Sequence, residues 1–272
     1  TSLGRWQSYI ARRIFKSFLN KPDNDFLFHW QSNKVLKSIN VFPDIIYSRS
    51  TPFSSALLAL KLKQKLNKPW CMHMSDPWSD SPYGNYSSEF NKKSEKECFD
   101  AADLISFTTE ETRAFYIKKY PAYSEKYFIS PNVFDKQEID KSPSVFQNKK
   151  LTILHSGNLY SKRNINTILE ALKKLDKEEQ DQLEVQLAGN LDEYNLESIL
   201  TSGLKCINVL GFLSARESYQ LQRKADILLS IDKPKEQEID TVFLPSKIQD
   251  YIVARKTTLA IKYTGTATYH TI

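Results

Sequence analysis

The run from Phe243 to Ile261, FLPSKIQDYIVARKTTLAI, carries residues able to grip an anion. Pro245 suits the first helical position, where its missing N–H costs nothing. Ser246 and Lys247 follow in the first turn. Asp250 lies three residues beyond Lys247, on a shared helix face. A helix N-terminus with free N–H groups and a lysine beside it is suited to phosphate. The spacing predicts a turn that binds the phosphates of a nucleotide, with Asp250 nearby to accept from hydroxyls. The same pattern also serves an ordinary capped helix, with Ile248, Tyr251 and Ile252 as its packing stripe. Thr257 to Ile261 is β-rich and reads as the next strand.

A second cluster is His73-Met74-Ser75-Asp76-Pro77-Trp78. It falls at the C-terminal end of a predicted strand, where α/β proteins keep ligand-facing residues. Asp76 can bind a hydroxyl or steer charge, and His73 can exchange protons near neutral pH. The competing reading makes Asp76 a turn cap before Pro77 and packs His73 into the sheet. Lys162 and Arg163 follow another predicted strand. With Lys247 they supply two sources of positive charge at one sheet edge, which suits a diphosphate. Asp23 and Asp25 form a D-x-D, a pattern able to hold a divalent metal. They sit in the turn KPDND, where aspartate is expected anyway, so no metal site is assigned.

These residues need strands and helices to place them. The chain has 272 residues, 40% of them hydrophobic and 26% charged, which is ordinary for a globular protein long enough for two domains. Cys71, Cys98 and Cys206 stand singly, so neither a disulfide framework nor a zinc site is indicated, and a reducing, cytoplasmic setting is expected. There is no apolar run of membrane-spanning length, no GxGxxG and no GxxxxGK[ST]. A net charge of +6 favours anionic partners without selecting one. No nucleic-acid motif is present, so nucleic acid is not expected.

Leu3, Trp6, Ile10, Ile14 and Phe18 predict a basic amphipathic helix over residues 3–19. It suits either core packing or peripheral contact with an anionic membrane. Strands are expected at Asp44–Ser48, Trp70–Met74, Asp103–Phe107 and Tyr127–Ser130, with helices between them. Residues 135–150 lose periodicity and read as a linker. A second strand–helix series starts at Leu151. Such alternation predicts parallel sheets, and hence an α/β protein of two Rossmann-like domains, residues 1–134 and 151–272.

In their order, ILHSGNLYSKRNINTILEAL, NVLGFLSARES, KADILLSI and LPSKIQDYIVARKTTLAI resemble the nucleotide-sugar domain of GT-B glycosyltransferases of the retaining family 4, also called group 1. PDIIYSRS, KPWCMHMSDPW, AADLISFTTEETRAF and SPNVFD resemble acceptor-side segments of bacterial surface-polysaccharide enzymes of that kind. The resemblance implies that Gly157 lets the chain approach the donor diphosphate. Arg163 stands where the family has a lysine on that group. Asn158 replaces a common arginine, and Ser246 and Lys247 match the P-S-K run. Asp250 stands in for the glutamate on the ribose hydroxyls. The upstream acid of the family's E-x7-E pattern would fall at Val242 and is absent. Asp76 matches an acceptor-side aspartate.

The activity implied is metal-independent transfer of a sugar, with retention, from a nucleoside diphosphate sugar to a glycan or lipid-linked acceptor in surface polysaccharide synthesis. No cofactor is expected. His73 and Asp76 are the expected catalytic residues. A GT-B-shaped nucleotide-sugar epimerase and a non-catalytic sugar- or nucleotide-binding protein are the alternatives. Relatives begin with a further strand and glycine-rich loop and end with further helices, so the chain is expected to be incomplete at one or both ends.

Overall fold

A computed structural model describes residues 22–23, 25, 28–40, 42–84, 86–133, 149–160 and 162–272. The amphipathic helix expected over 3–19 lies outside them, as do all but the last two residues of the expected linker. The chain divides into two compact units, Thr1–Pro131 and Asn132–Ile272.

The first unit holds a four-stranded parallel sheet: β1 (Ile46–Ser50), β2 (Trp70–Met74), β3 (Leu104–Phe107) and β4 (Tyr127–Ile129). The strands lie in sequence order, β1-β2-β3-β4. The first strand starts two residues later than expected. Ile46, Ser48 and Ser50 face inward, while Tyr47 and Arg49 face out. That alternation marks a half-buried strand. Asp23 does structural work here. Its carboxylate accepts from the Ser54 N–H (2.9 Å) and hydroxyl (2.6 Å), anchoring the helix Ser54–Leu66. Among the described residues no cluster of three or more His, Cys, Asp or Glu is arranged to hold a metal ion.

The helix Glu89–Ala101 is capped by Ser88, and Glu110–Lys119 by Thr109. Their inner faces pack Phe99 and Tyr116 against Phe107 and Trp70. Within this packing Glu95 is fully buried. Its carboxylate accepts from Ser79, Tyr116 and Lys119, each at 2.5 Å. The Tyr116 hydroxyl accepts from the Trp78 N–H at 3.0 Å. A carboxylate so buried is tolerated because four donors meet it, Tyr116 at Oε1 and Ser79, Lys119 and Tyr120 at Oε2. The network fastens the loop that follows Asp76.

The second unit is a five-stranded parallel sheet of β5 (Leu151–Ser156), β6 (Leu183–Ala188), β7 (Ile207–Gly211), β8 (Ile227–Ile231) and β9 (Thr257–Ile261). The order is β7-β6-β5-β8-β9. The chain winds outward from β5 in one direction, then returns to add β8 and β9 on the other side. The reversal point lies between β5 and β8, where open α/β sheets bind ligands at their carboxyl ends. Helices follow the expected periodicity. Ser214 and Glu217 form a capping box at the helix Ala215–Lys224, and Asp192 caps Glu193–Ser202. The helix Lys247–Ala254 starts two residues after Pro245 and has no side-chain cap.

Candidate functional site

The site is built at the carboxyl ends of β5 and β8. Gly157 directly follows β5 and adopts φ +138°, a conformation that disfavours any side chain. A Cβ there would lie 3.0 Å from Lys247 Nζ and 3.1 Å from its Cε. The lysine thus crosses directly over the glycine. The neighbouring strand end approaches as closely, since a Cβ on Gly189 would stand 2.4 Å from the Gly157 carbonyl oxygen.

Lys247 leaves the first turn of its helix toward the sheet, and its ammonium donates to His155 Nε2 at 3.2 Å. Burial, with the Arg163 charge adding to it, holds Lys247 down at about 7 against an ordinary 10.5; Asp232 opposes this. A cation desolvated beside another cation has a deficit of negative charge that an anionic ligand would fill. Arg163 lies over the Tyr160 ring, 5.7 Å from its centroid, and its buried Nε has no hydrogen-bond partner among the described residues. Its loop is held by Asn195, whose side-chain oxygen accepts from the Ile165 N–H at 3.0 Å.

The other expected site residues divide. Asn158, where the resemblance sets a common arginine, directly follows Gly157. Its side-chain oxygen accepts from the Asn190 N–H at 2.9 Å and ties the two strand-end loops together. Lys162 turns away into an exposed ion pair with Glu236, leaving Arg163 as the loop's contribution. Ser246 and Asp250 are exposed at the start of the helix. Asp250 is more exposed than Lys247, which is partly buried.

Two residues outside the expected set join the site. Asp232 directly follows β8, and its buried Oδ1 has no hydrogen-bond partner among the described residues; Lys262 directly follows β9, feels the Asp232 charge, and its buried Nζ lies over the Tyr269 ring, 5.8 Å from the centroid, likewise without a hydrogen bond among those residues. Their position after strands was visible in the sequence, but nothing there distinguished them from solvated charges. Val242, where an acid is missing, is 4% exposed and packed inside.

In the first unit, His73 is 2% exposed, with Nδ1 2.9 Å from Ser106 Oγ and Nε2 3.5 Å from Thr108 Oγ1. Burial, then the Arg49 charge, pushes it down to about 4. Near neutral pH the ring is therefore neutral, and it is packed in the sheet against Ser106 and Thr108. Asp76 sits at the strand end as expected, half-buried. Burial raises its carboxyl above the usual range, with the nearby Arg49 partly offsetting.

Residues 136–231 match the family model described as glycosyl transferases group 1. No curated protein matches the chain in sequence. Among solved structures, Anabaena Alr3699/HepE in complex with UDP aligns with a TM-score of 0.62 at 14% identity, over 88% of this chain and 70% of that one. Trehalose-6-phosphate synthase OtsA aligns at 0.64 and 11% identity, over 90% and 62%. The lipopolysaccharide outer core galactosyltransferase WaaB, in its apo form, aligns at 0.57 and 13% identity, over 86% and 60%. The chain thus spans 70%, 62% and 60% of these three proteins' own lengths. Two parallel α/β units, the reversal in the second sheet and these alignments lead to one assignment: the chain has the GT-B glycosyltransferase fold, and residues 136–231 are similar to glycosyl transferases group 1.

Proposed function

We propose that the protein is a glycosyltransferase that moves a sugar from a nucleoside diphosphate sugar to a glycan or lipid-linked acceptor. The observation that carries this reading is the meeting of Lys247 with Gly157 at the sheet's reversal point. An open backbone cradle, a desolvated ammonium and a guanidinium whose buried Nε has no hydrogen-bond partner among the described residues suit a diphosphate. In the reaction the bond from the sugar's anomeric carbon to the diphosphate oxygen breaks and a bond to the acceptor oxygen forms. The acceptor's proton is released. Negative charge grows on the leaving diphosphate, and fixed cations stabilise it most where water is excluded.

Gly157, Arg163 and Lys247 hold the diphosphate in this proposal. Ser246 and Asp250 lie where the exposed helix start can meet the nucleoside, with Asp250 accepting from ribose hydroxyls. Asp232 supplies the acid that Val242 cannot, facing hydroxyls of the donor. Asp76, with its raised carboxyl, faces the acceptor. Retention of configuration, independence of metal and cofactor, a place in bacterial surface-polysaccharide synthesis, a cytoplasmic setting and peripheral contact with an anionic membrane complete the proposal; they rest on the family resemblance and the basic sequence.

Titration of the full chain with UDP, GDP and ADP, each beside its nucleoside, tests it. Lys247→Ala should weaken diphosphate binding roughly 10- to 100-fold, the range for a lost charge-assisted hydrogen bond, and leave nucleoside binding in place. Equal losses for both would remove the phosphate role.

A further inference from the structure

The pairing of β5 with β8 is short. It joins Ile153 to Ile227 and Leu154 to Leu228, although both strands run further. Beyond it the two strands part, and side chains satisfy the backbone groups this frees. The Leu229 carbonyl accepts from His155 Nδ1 at 2.9 Å and from the Tyr251 hydroxyl at 3.1 Å. The Tyr251 oxygen also accepts from the Ser156 N–H at 3.0 Å.

A carbonyl oxygen only accepts, so the proton of His155 is on Nδ1 and Nε2 carries a lone pair. An ammonium only donates, and Lys247 Nζ is 3.2 Å from that lone pair. The ring is fully buried, and burial together with the charges of Lys247 and Arg163 keeps it neutral. The Gly157 backbone also reaches the ring, and the Leu229 carbonyl, which can only accept, sets the tautomer.

We infer that His155 is a positioning residue, whose Nε2 holds the Lys247 ammonium over Gly157 for an oxygen of the ligand's diphosphate. This rests on the donor-site reading above. One of the three ammonium hydrogens is used by the ring, which leaves two for phosphate. The long, flexible lysine chain is ordered before the ligand arrives, so less entropy is lost on binding. The other charged groups around the ammonium are Arg163, from the loop after β5, and Asp232, at the end of β8. Arg163 repels the ammonium and Asp232 draws it off, so neither fixes it over the glycine. A neutral acceptor on β5 can hold it there without cancelling its charge.

Two measurements on the full chain test the inference. The first reads the His155 ring nitrogens by 15N NMR between about pH 5 and 8, the range where free histidine titrates. The expected result is a protonated Nδ1, an unprotonated Nε2, and an Nε2 shift that moves in Lys247→Met. A protonated Nε2, or one indifferent to Lys247→Met, overturns the inference whatever the protein's activity. The second compares His155→Phe and His155→Gln for binding of UDP, GDP and ADP and their nucleosides. His155→Phe should weaken the best-bound diphosphate about tenfold while its nucleoside binds as before. His155→Gln, which offers an amide oxygen to the lysine, should recover most of that loss. Equal weakening of diphosphate and nucleoside, or no recovery in Gln, marks a merely structural residue and overturns it. Wild-type protein that binds no nucleoside diphosphate, with the tautomer as expected, instead overturns the donor reading and the ligand assigned here.

Discussion

Two buried histidines stand near the ends of central strands, one in each unit, and they have different fates. His73 meets two hydroxyls, Ser106 and Thr108, which can each donate or accept. His155 meets a carbonyl and an ammonium, which cannot exchange roles. Both rings are neutral at neutral pH, because burial disfavours the imidazolium in each. The difference lies in what stands beyond the ring. His73 belongs to a sheet whose described strands run in simple order. His155 belongs to a sheet that reverses beside it, where parted strands leave room for Lys247. A histidine at a strand end is thus a weak sign of chemistry until the sheet order beside it is known.

The largest expected effect breaks the first unit. Glu95→Ala removes the buried acceptor of Ser79 and Tyr116 and one of the two carboxylates on Lys119, which keeps Asp80, and should cost about 2–5 kcal/mol. Thermal unfolding of the full chain would show an early transition, with diphosphate binding by the second unit retained. A single concerted loss of both would mean that the units do not unfold separately.

Gly189→Ala should come next, in the second unit. The new methyl meets the Gly157 carbonyl at 2.4 Å, at φ +131°. Overpacking of this kind costs about 1–3 kcal/mol, and displaced strand ends should weaken diphosphate binding as well. Unchanged affinity in denaturant-matched conditions would show that the Gly157 cradle does not need its neighbour.

A third test uses pH to separate the two strand ends. Lys247 is held down at about 7, so the apo site loses its charge as pH rises through that value. A bound diphosphate restores the charged form. Binding near pH 8 should therefore take up protons, and affinity should fall from pH 6 to 8, reckoned from that value of about 7. Calorimetry in two buffers of different ionisation heat reads the uptake. Lys247→Arg, always charged, should abolish it. For the fold the sign is that of a depressed lysine. The cost of burying the charge is present in full below about 7 and is relieved as pH rises from there toward 10.5. His73, down at about 4, titrates below this window and should add nothing to it.

The smallest effect is at the end of the helix Lys247–Ala254. Arg255 adopts φ +54°, the left-handed conformation that favours glycine. Arg255→Gly should stabilise the protein by roughly 1 kcal/mol, from relief of that conformation less the added freedom of glycine when unfolded. A change in diphosphate affinity would show that Arg255 does more than end the helix.

Local signals carried most of the secondary structure. Thr109, Ser214 and Asp192 cap helices because a side-chain oxygen needs only the next turn's N–H, which sequence spacing supplies. Alternation of strand and helix was enough for parallel sheets and for loops gathered at one edge. Lys247 was readable as a cation at a helix start, since its neighbours in the chain define that turn. The start of β1 was not, because whether DIIYS is buried on one face or two depends on what packs there.

Sequence alone determined the α/β class, the order of strands and helices and the likeness of residues 136–231 to glycosyl transferases group 1, all of which depend on neighbours in the chain or on motif order. Tertiary structure decided which strand-end residues act together. It turned Asn158 and Asp23 into structural ties, sent Lys162 to Glu236, and brought Asp232 to the site. It also placed His155 under Lys247, 92 residues away in the chain. The physical reason is the strand order. A reversal between β5 and β8 joins side chains that no local spacing relates, and only there does the partial burial of a lysine create a demand for an anion.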